Sequence, residues 1–146
     1  METILLSVIA GLAAVVFLKA IDVLFQGTYV ALAKFSTIAF VPGSFILIVC
    51  SSLVVCYLLK RVPEAAGSGI PQLKVAYWKE MGFIPWRPVL VKFAAGIISL
   101  GGGASLGREG PTLYLCGGLS SAVSGYLGKP KHGRRNSLTI GTAAGL

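Results

Sequence analysis

The sequence predicts an all-α integral membrane protein whose transmembrane helices are broken and in part re-entrant. Of the 146 residues, 55% are hydrophobic and only 12% are charged, and the mean hydropathy is +0.81. That charged share is about half of the ~25% usual in soluble domains. Uncharged runs alternate with basic connections, and nine of the 19 glycines are concentrated within residues 67–69, 101–110 and 117–118. Such clusters allow helices to be interrupted within a membrane.

The first predicted span is one long, tilted helix from about residue 3 to residue 33. Residues 3–18 carry no charge, and apolar composition resumes after Lys19 and Asp22. No basic segment precedes this run and no convincing small-residue cleavage site follows it. We therefore expect the first helix to stay in the protein.

The second predicted span lies within residues 35–59, which are 25 uncharged residues. Pro42 and Gly43 favour a helix that begins near Pro42. About 18 residues at ~1.5 Å each reach roughly 27 Å, which is close to the thickness of the hydrocarbon layer. This segment has the composition most typical of a transmembrane helix.

The connection after the second span is basic. Between residues 60 and 92 there are six Lys and Arg but only two Glu, and the positive-inside rule places such a stretch in the cytoplasm. Trp86 and Arg87, between two prolines, predict an interfacial turn with an aromatic anchor. A helix is expected to follow from about Pro88 to Leu100.

The last third of the chain predicts another helix and a basic loop. Residues 110–128 are uncharged. The helix predicted here begins at Pro111 and is ended by Gly128 and Pro130. Residues 129–135 contain four basic side chains and predict a solvated or lipid-headgroup-facing loop. Residues 141–146 are small and apolar without a helix-ending signal, so we expect the chain to be cut in mid-structure.

The net charge of +8 does not indicate nucleic acid as a partner. Phosphate binding by a soluble module needs a wetted basic face, and the hydrophobicity of this chain contradicts that. The expected partner is the lipid bilayer. We exclude a DNA- or RNA-binding module.

Two short motifs repeat one physical plan: Gly67-Ser68-Gly69-Ile70-Pro71 and Gly107-Arg108-Glu109-Gly110-Pro111. In each, glycines free the backbone just before a proline that favours the first turn of a helix. The result is a helix amino terminus whose free N–H groups and positive dipole end attract a negative partner. Each motif therefore predicts an anion-binding position.

Two side chains in these motifs allow a functional and a structural interpretation. Ser68 adds a hydroxyl donor suited to a halide or nitrate, or it caps its own helix. Glu109 is itself an anion next to a helix amino terminus, so it can compete with a substrate and leave when protonated. Alternatively, Glu109 caps the helix or pairs with Arg108.

The motifs and their order resemble the CLC family of chloride channels and proton-coupled chloride transporters. The resemblance rests on Pro63-Glu64-Ala65 before the first motif, on Val91-Lys92-Phe93, and on Gly101-Gly102-Gly103 before the second motif. It covers about residues 1–146 as the amino-terminal part of a CLC-type transmembrane domain, a partial inverted-repeat fold whose second half is absent. The anion motifs lie at 67–71 and 107–111.

The resemblance implies chloride transport, as a channel or as a chloride/proton antiporter. Ser68 would donate its hydroxyl to a central site, and the backbone around Gly67, Ser68, Gly69 and Ile70 would bind the anion from one side. The amides of Arg108, Glu109 and Gly110 would line an outer site that the Glu109 carboxylate can fill as a protonatable gate. A serine at the position of Ser68 goes with chloride preference in this family.

Further expectations follow from the same resemblance. The intact protein would be a homodimer with one pathway per subunit, a multi-pass protein of the plasma or inner membrane. Chloride, with protons in the antiporter case, would be substrate, and no cofactor or metal is expected. The chain would not be an enzyme.

The sequence argues against other classes of protein. An intramembrane serine protease would need Ser68 as nucleophile and His132 as base, but His132 lies in a basic, polar segment and is not expected to reach Ser68. A phosphate loop at Gly101–Gly103 lacks the following Gly-Lys-Ser or Gly-Lys-Thr. The remaining alternative is a non-conducting structural or assembly fragment of a CLC-type protein.

Overall fold

The computed structural model describes residues 2–35, 37–128 and 131–146, and these parts of the chain are helical without a β-strand. The predicted all-α class is therefore confirmed. Seven α-helices follow one another: α1 (Glu2–Phe25), α2 (Ala31–Phe35), α3 (Thr37–Arg61), α4 (Ile70–Trp78), α5 (Trp86–Gly101), α6 (Glu109–Tyr126) and α7 (Lys131–Ala144). A π-helical segment at Gln26–Val30 joins α1 to α2, and a 3₁₀ turn at Pro63–Ala65 precedes α4.

The first predicted span is confirmed as a nearly continuous helical run. An apolar stretch from Thr3 to Lys34 is long enough to cross a membrane by length and composition. The π-helical segment interrupts it near its end, which the sequence did not predict. Within that segment the Tyr29 hydroxyl donates a hydrogen bond to the Gly102 carbonyl oxygen at 3.0 Å. This bond ties the segment to the end of α5.

The predicted start of the second span near Pro42 is wrong, because α3 begins at Thr37 and runs through Pro42. Pro42 is the sixth residue of α3, beyond the first four positions whose N–H groups have no intrahelical partner, so it removes one intrahelical hydrogen bond. The following residue, Gly43, packs against the Leu32 side chain, where a Cβ atom would lie 2.8 Å from a Leu32 methyl carbon. This contact with α2 outweighs the local preference of proline for a first turn.

The second membrane-crossing candidate, Phe40–Arg61, lies on the outside of the molecule. No residue in its most apolar window is buried within the chain, and large side chains such as Phe45 and Leu53 are exposed. Apolar side chains that do not face protein are expected to face lipid. Lys60 and Arg61 form the last turn of α3, where basic side chains complement the helix dipole.

The core is formed mainly by α1, α5, α6 and α7, with α4 against α6. Its buried apolar side chains come from four parts of the sequence and form one cluster: Phe17, Leu73, Ala76, Ile84, Val89, Tyr114, Leu115 and Leu138. Helix α5 begins at Trp86, two residues before the predicted start, with Pro88 in its first turn. Proline is tolerated there because that N–H has no intrahelical partner.

The predicted loop at residues 129–135 is wrong from Lys131 onward, because these residues belong to α7. Close packing on α6 stabilises this helix: a Cβ at Gly117 would lie 2.7 Å from the Thr142 methyl carbon. Such tertiary contacts outweigh the unfavourable placement of basic residues in a first turn. Lys129 and Pro130, where the preceding helix was expected to end, and the His132 side chain lie outside the described residues.

Candidate functional site: two helix starts around one cavity

Both glycine–proline motifs open a helix, as the sequence predicted. Helix α4 starts at Ile70 and α6 starts at Glu109, and neither start receives a hydrogen bond from a capping side chain. The residue at the cap position of α4 is Gly69, so Ser68 does not cap this helix. Because Pro71 and Pro111 carry no N–H, the amides available in the first turns are those of the residues around them. Both helix starts therefore present unpaired donors and a positive dipole end.

The two motifs are in direct contact. The backbone of Gly69 has φ +94°, a left-handed conformation that favours glycine, and it turns the chain into α4. A Cβ atom at Gly110 would collide with the Ser68 carbonyl oxygen, and one at Gly69 would lie 3.2 Å from the Gly110 carbonyl oxygen. Glycine at both positions thus lets two segments about forty residues apart share one wall.

Lys92 from α5 completes this arrangement. Its side chain is only 4% exposed, and its ammonium group donates a hydrogen bond to the Gly67 carbonyl oxygen at 2.9 Å. The same nitrogen lies 4.6 Å from the centroid of the Tyr114 ring, which is within the range of a cation–π interaction. A buried charge needs such partners, and here they fix a cation behind the first motif.

The motifs and Lys92 line one cavity of about 580 Å³, which we call the motif cavity. Its polar or charged lining residues are Ser68, Lys92, Ser99 and Glu109. The other twelve lining residues are all apolar or glycine and come from α3, α5, α6, the first residue of α4 and the segments before α4 and α6. They are Val55, Leu59, Ala65, Gly67, Ile70, Ala95, Gly96, Leu100, Leu106, Gly107, Gly110 and Pro111. This volume lies within the usual range of small-ligand sites.

The predicted site residues divide into two groups. Gly67, Ser68, Ile70, Glu109 and Gly110 line the motif cavity together. Ser68 and Glu109 have exposed side chains within the described chain, so both are accessible to solvent from this cavity.

Two predicted site residues do not line the cavity. Gly69 is buried and supports the wall from behind, where a Cβ would lie 2.9 Å from the Tyr114 Cβ. Arg108 precedes α6 at its cap position and its side chain is exposed. Any contribution of Arg108 to this site therefore comes from its backbone.

Sequence reasoning assigned no role to Lys92 or Ser99. Val91-Lys92-Phe93 contributed to the family resemblance, but nothing local indicates that this lysine turns inward. One signal was available in retrospect: Lys92 is the only charged residue of the stretch 88–107. An isolated charge inside an apolar helix usually faces protein or a cavity.

The fold, the paired motifs and the buried cation define a helical membrane protein with a candidate site between two helix starts. The chain belongs to the voltage gated chloride channel family, whose family model matches residues 51–146. The matched part contains both motifs and Lys92. The predicted family is therefore confirmed.

Individual relatives agree with this membership. The H(+)/Cl(-) exchange transporter ClcA of Salmonella arizonae is 36% identical over 142 residues, which covers 94% of this chain and 30% of the relative. The proteins of the same name from Salmonella newport and Salmonella agona give the same identity and coverage. The chain thus spans about a third of the length of the curated relatives it matches.

Proposed function

We propose that the motif cavity is part of a chloride pathway in a CLC-type channel or chloride/proton antiporter. The observation that carries this proposal is the convergence of two uncapped helix starts and one buried lysine on a single cavity. Amide donors, helix dipoles and an ammonium group all favour an anion. One acidic residue lines the cavity, Glu109, and it is the first residue of α6.

Ser68 is the proposed hydroxyl donor to chloride. It precedes the start of α4, lines the motif cavity, and does not cap the helix. A hydroxyl donor that is not engaged by a helix end is available for a partly dehydrated anion. Backbone amides of Ile70 and, across the cavity, of Glu109 and Gly110 complete the proposed donor set. Gly67, whose carbonyl is held by Lys92, sets the position of the first motif.

Glu109 is the proposed gate. Glu109 is the first residue of α6, and it lines the motif cavity together with Ser68. An ionised Glu109 carboxylate and a chloride ion are therefore attracted to the same region of positive potential. Protonation removes the negative charge and the competition. In a channel this step would open the pathway, and in an antiporter it would also couple chloride movement to a proton.

The rest of the pathway is proposed to come from additional sequence. Since the chain matches only 30% of the length of its relatives, we infer that a second half supplies the remaining ligands in an inverted repeat. The whole protein is proposed to be a multi-pass homodimer of the plasma or inner membrane, with one pathway per subunit. Residues 1–146 would form the amino-terminal part of its transmembrane domain.

The proposal is tested with a chimera in which residues 1–146 replace the matching segment of the Salmonella arizonae relative. Chloride efflux from proteoliposomes is measured against external pH for the chimera and for its Glu109→Gln variant. The unmodified chimera should transport faster as external pH falls, because protonation removes the competing carboxylate. Glu109→Gln should still transport, with a flat pH dependence and no coupled proton movement.

Glu64→Gln is the matched control, since it removes an exposed carboxylate that does not line the motif cavity. It should keep the pH dependence of the unmodified chimera. Identical pH curves for Glu109→Gln and the unmodified chimera would show that Glu109 is not the gate. A well-folded chimera that carries no chloride would favour the alternative of a non-conducting structural fragment.

A further inference from the structure

A second cavity, of about 380 Å³, lies between the loop before α5, the end of α6 and the start of α7. We call it the interfacial pocket and define it by Phe83, Trp86, Ser121, Gly125, Tyr126 and Arg134, which are among its lining residues. None of these residues lines the motif cavity. Its walls are mostly apolar, and the charged side chain that lines it is Arg134.

The Arg134 side chain lines the pocket, and one of its N–H groups has no hydrogen-bond partner within the described chain. Its guanidinium carbon lies 6.0 Å from the centroid of the Phe83 ring, and Gly125 leaves room for one of its terminal nitrogens, which would lie 3.3 Å from a Cβ there. Its Nε atom is buried and has no hydrogen-bond partner within the described chain. The Nε atom of the neighbouring Arg135 is also buried without a partner there, but a terminal nitrogen of Arg135 donates to the Trp78 carbonyl oxygen at 3.0 Å.

The pocket is built on fixed backbone. The Ser121 hydroxyl donates a hydrogen bond to the Gly82 carbonyl oxygen, and the Gly82 amide donates to the Ala76 carbonyl oxygen at 2.8 Å. A Cβ at Gly82 would lie 2.7 Å from the backbone of Arg134. The loop is therefore clamped between α6 and α7, and the position of the arginine follows from it.

The rim of the pocket has the composition of a membrane–water interface. Trp86 is 63% exposed and Tyr126 is 98% exposed, and such aromatic side chains are typical of the headgroup level. The 18 residues of α6 cover about 27 Å, which separates the pocket at the end of this helix from the motif cavity at its start. Basic residues on both sides of the pocket indicate the cytoplasmic surface.

We propose that the interfacial pocket binds the headgroup phosphate of an anionic phospholipid. A guanidinium group can hold two phosphate oxygens with parallel hydrogen bonds, and the Arg134 side chain lines the pocket. The aromatic rim and apolar walls fit the glycerol and upper acyl chain of the same molecule. Basic pockets between membrane helices on the cytoplasmic side commonly take such headgroups.

The test measures lipid selectivity at the pocket by tryptophan fluorescence. The chain contains two tryptophans, so Trp78→Phe leaves Trp86 on the pocket rim as the only reporter. This protein is reconstituted in phosphatidylcholine bilayers with increasing brominated phosphatidylglycerol, and quenching is compared with that by brominated phosphatidylcholine. We expect phosphatidylglycerol to bind about fivefold more strongly, a preference of the size that one basic side chain gives near an anionic surface.

Two variants in the Trp78→Phe protein test the role of the pocket. Arg134→Gln should reduce the preference to near equality, and Gly125→Leu should do the same without changing the net charge, because its side chain displaces the guanidinium. Arg61→Gln is the matched control: it removes one exposed charge from the end of α3, where the guanidinium lies over Tyr57. It should keep most of the preference.

The possible outcomes separate a defined pocket from diffuse charge attraction. Equal losses for Arg134→Gln and Arg61→Gln, or an unchanged preference in Gly125→Leu, would overturn the proposal. Soluble glycerol phosphate should not remove the preference at millimolar concentration. If it does, the pocket is a site for free phosphate esters, and the assignment to a lipid is wrong.

Discussion

Replacing Gly110 by alanine tests the contact between the two motifs most directly. A Cβ at this position would collide with the Ser68 carbonyl oxygen and lie 3.2 Å from the Ser68 carbonyl carbon. Backbone atoms cannot move away as cheaply as the end of a side chain. The substitution must therefore separate the start of α6 from the first motif or strain both.

The expected loss follows from two opposing effects. Overpacking a closely packed site costs about 1–3 kcal/mol, whereas Gly→Ala within a helix gains up to about 1 kcal/mol. Gly110 is only the second residue of α6, so it recovers part of that gain. We expect a net loss of about 1–2 kcal/mol, or a melting temperature lower by roughly 3–8 °C for a chain of this size.

Gly107→Ala is the matched control within the same motif, because a Cβ there meets no atom within 4 Å. Its effect should stay within about 0.5 kcal/mol. Both variants are purified in detergent as the 146-residue chain, and helical signal is followed by circular dichroism during heating. Equal melting temperatures for the two variants would refute the close contact between Gly110 and Ser68.

Three further predictions concern the motif cavity. In the chimera, Ser68→Ala should change the chloride-to-nitrate flux ratio by roughly fivefold, as expected for losing one hydroxyl donor worth about 1 kcal/mol. Ser99→Ala, which removes another hydroxyl that lines the cavity, should change this ratio less. An unchanged ratio for Ser68→Ala would place its hydroxyl outside the pathway. Lys92→Met should raise the chloride concentration for half-maximal flux several-fold, because it removes a buried positive charge; a lower concentration would contradict this. The 146-residue chain alone should give no chloride efflux above protein-free liposomes, because the proposed pathway also needs the ligands that we infer for a second half, without which backbone groups lack partners. Saturable efflux from the 146 residues would contradict that inference.

The helix starts at the two motifs were predictable because glycine and proline act locally. Gly69 permits a left-handed turn and Pro71 fits a first helical turn, wherever the rest of the protein lies. The start of α3 was not predictable in this way. A proline normally marks a helix start, but here the contact between Gly43 and Leu32 extends the helix past Pro42, and only the three-dimensional arrangement contains that contact.

The role of Lys92 and the helical state of residues 131–135 depend on distant partners as well. Lys92 donates to a carbonyl 25 positions away, and no local pattern identifies that acceptor. Four basic residues in seven look like a loop, yet α7 forms because Gly117 on α6 allows Thr142 to approach closely. The sequence predicted which groups favour an anion, whereas packing determined which of them share a cavity.

The π-helical segment at Gln26–Val30 affects how this chain can be aligned and edited. A π turn contains one residue more than an α turn, so it accommodates an extra residue without rotating the helix that follows it. Removing Gly27, where a Cβ would meet no atom within 4 Å, should convert the π turn into an α turn and leave the directions of the flanking side chains unchanged. A one-residue gap in an alignment at this point therefore marks the gain or loss of the π turn, and the same side chains face the protein on both sides of the gap.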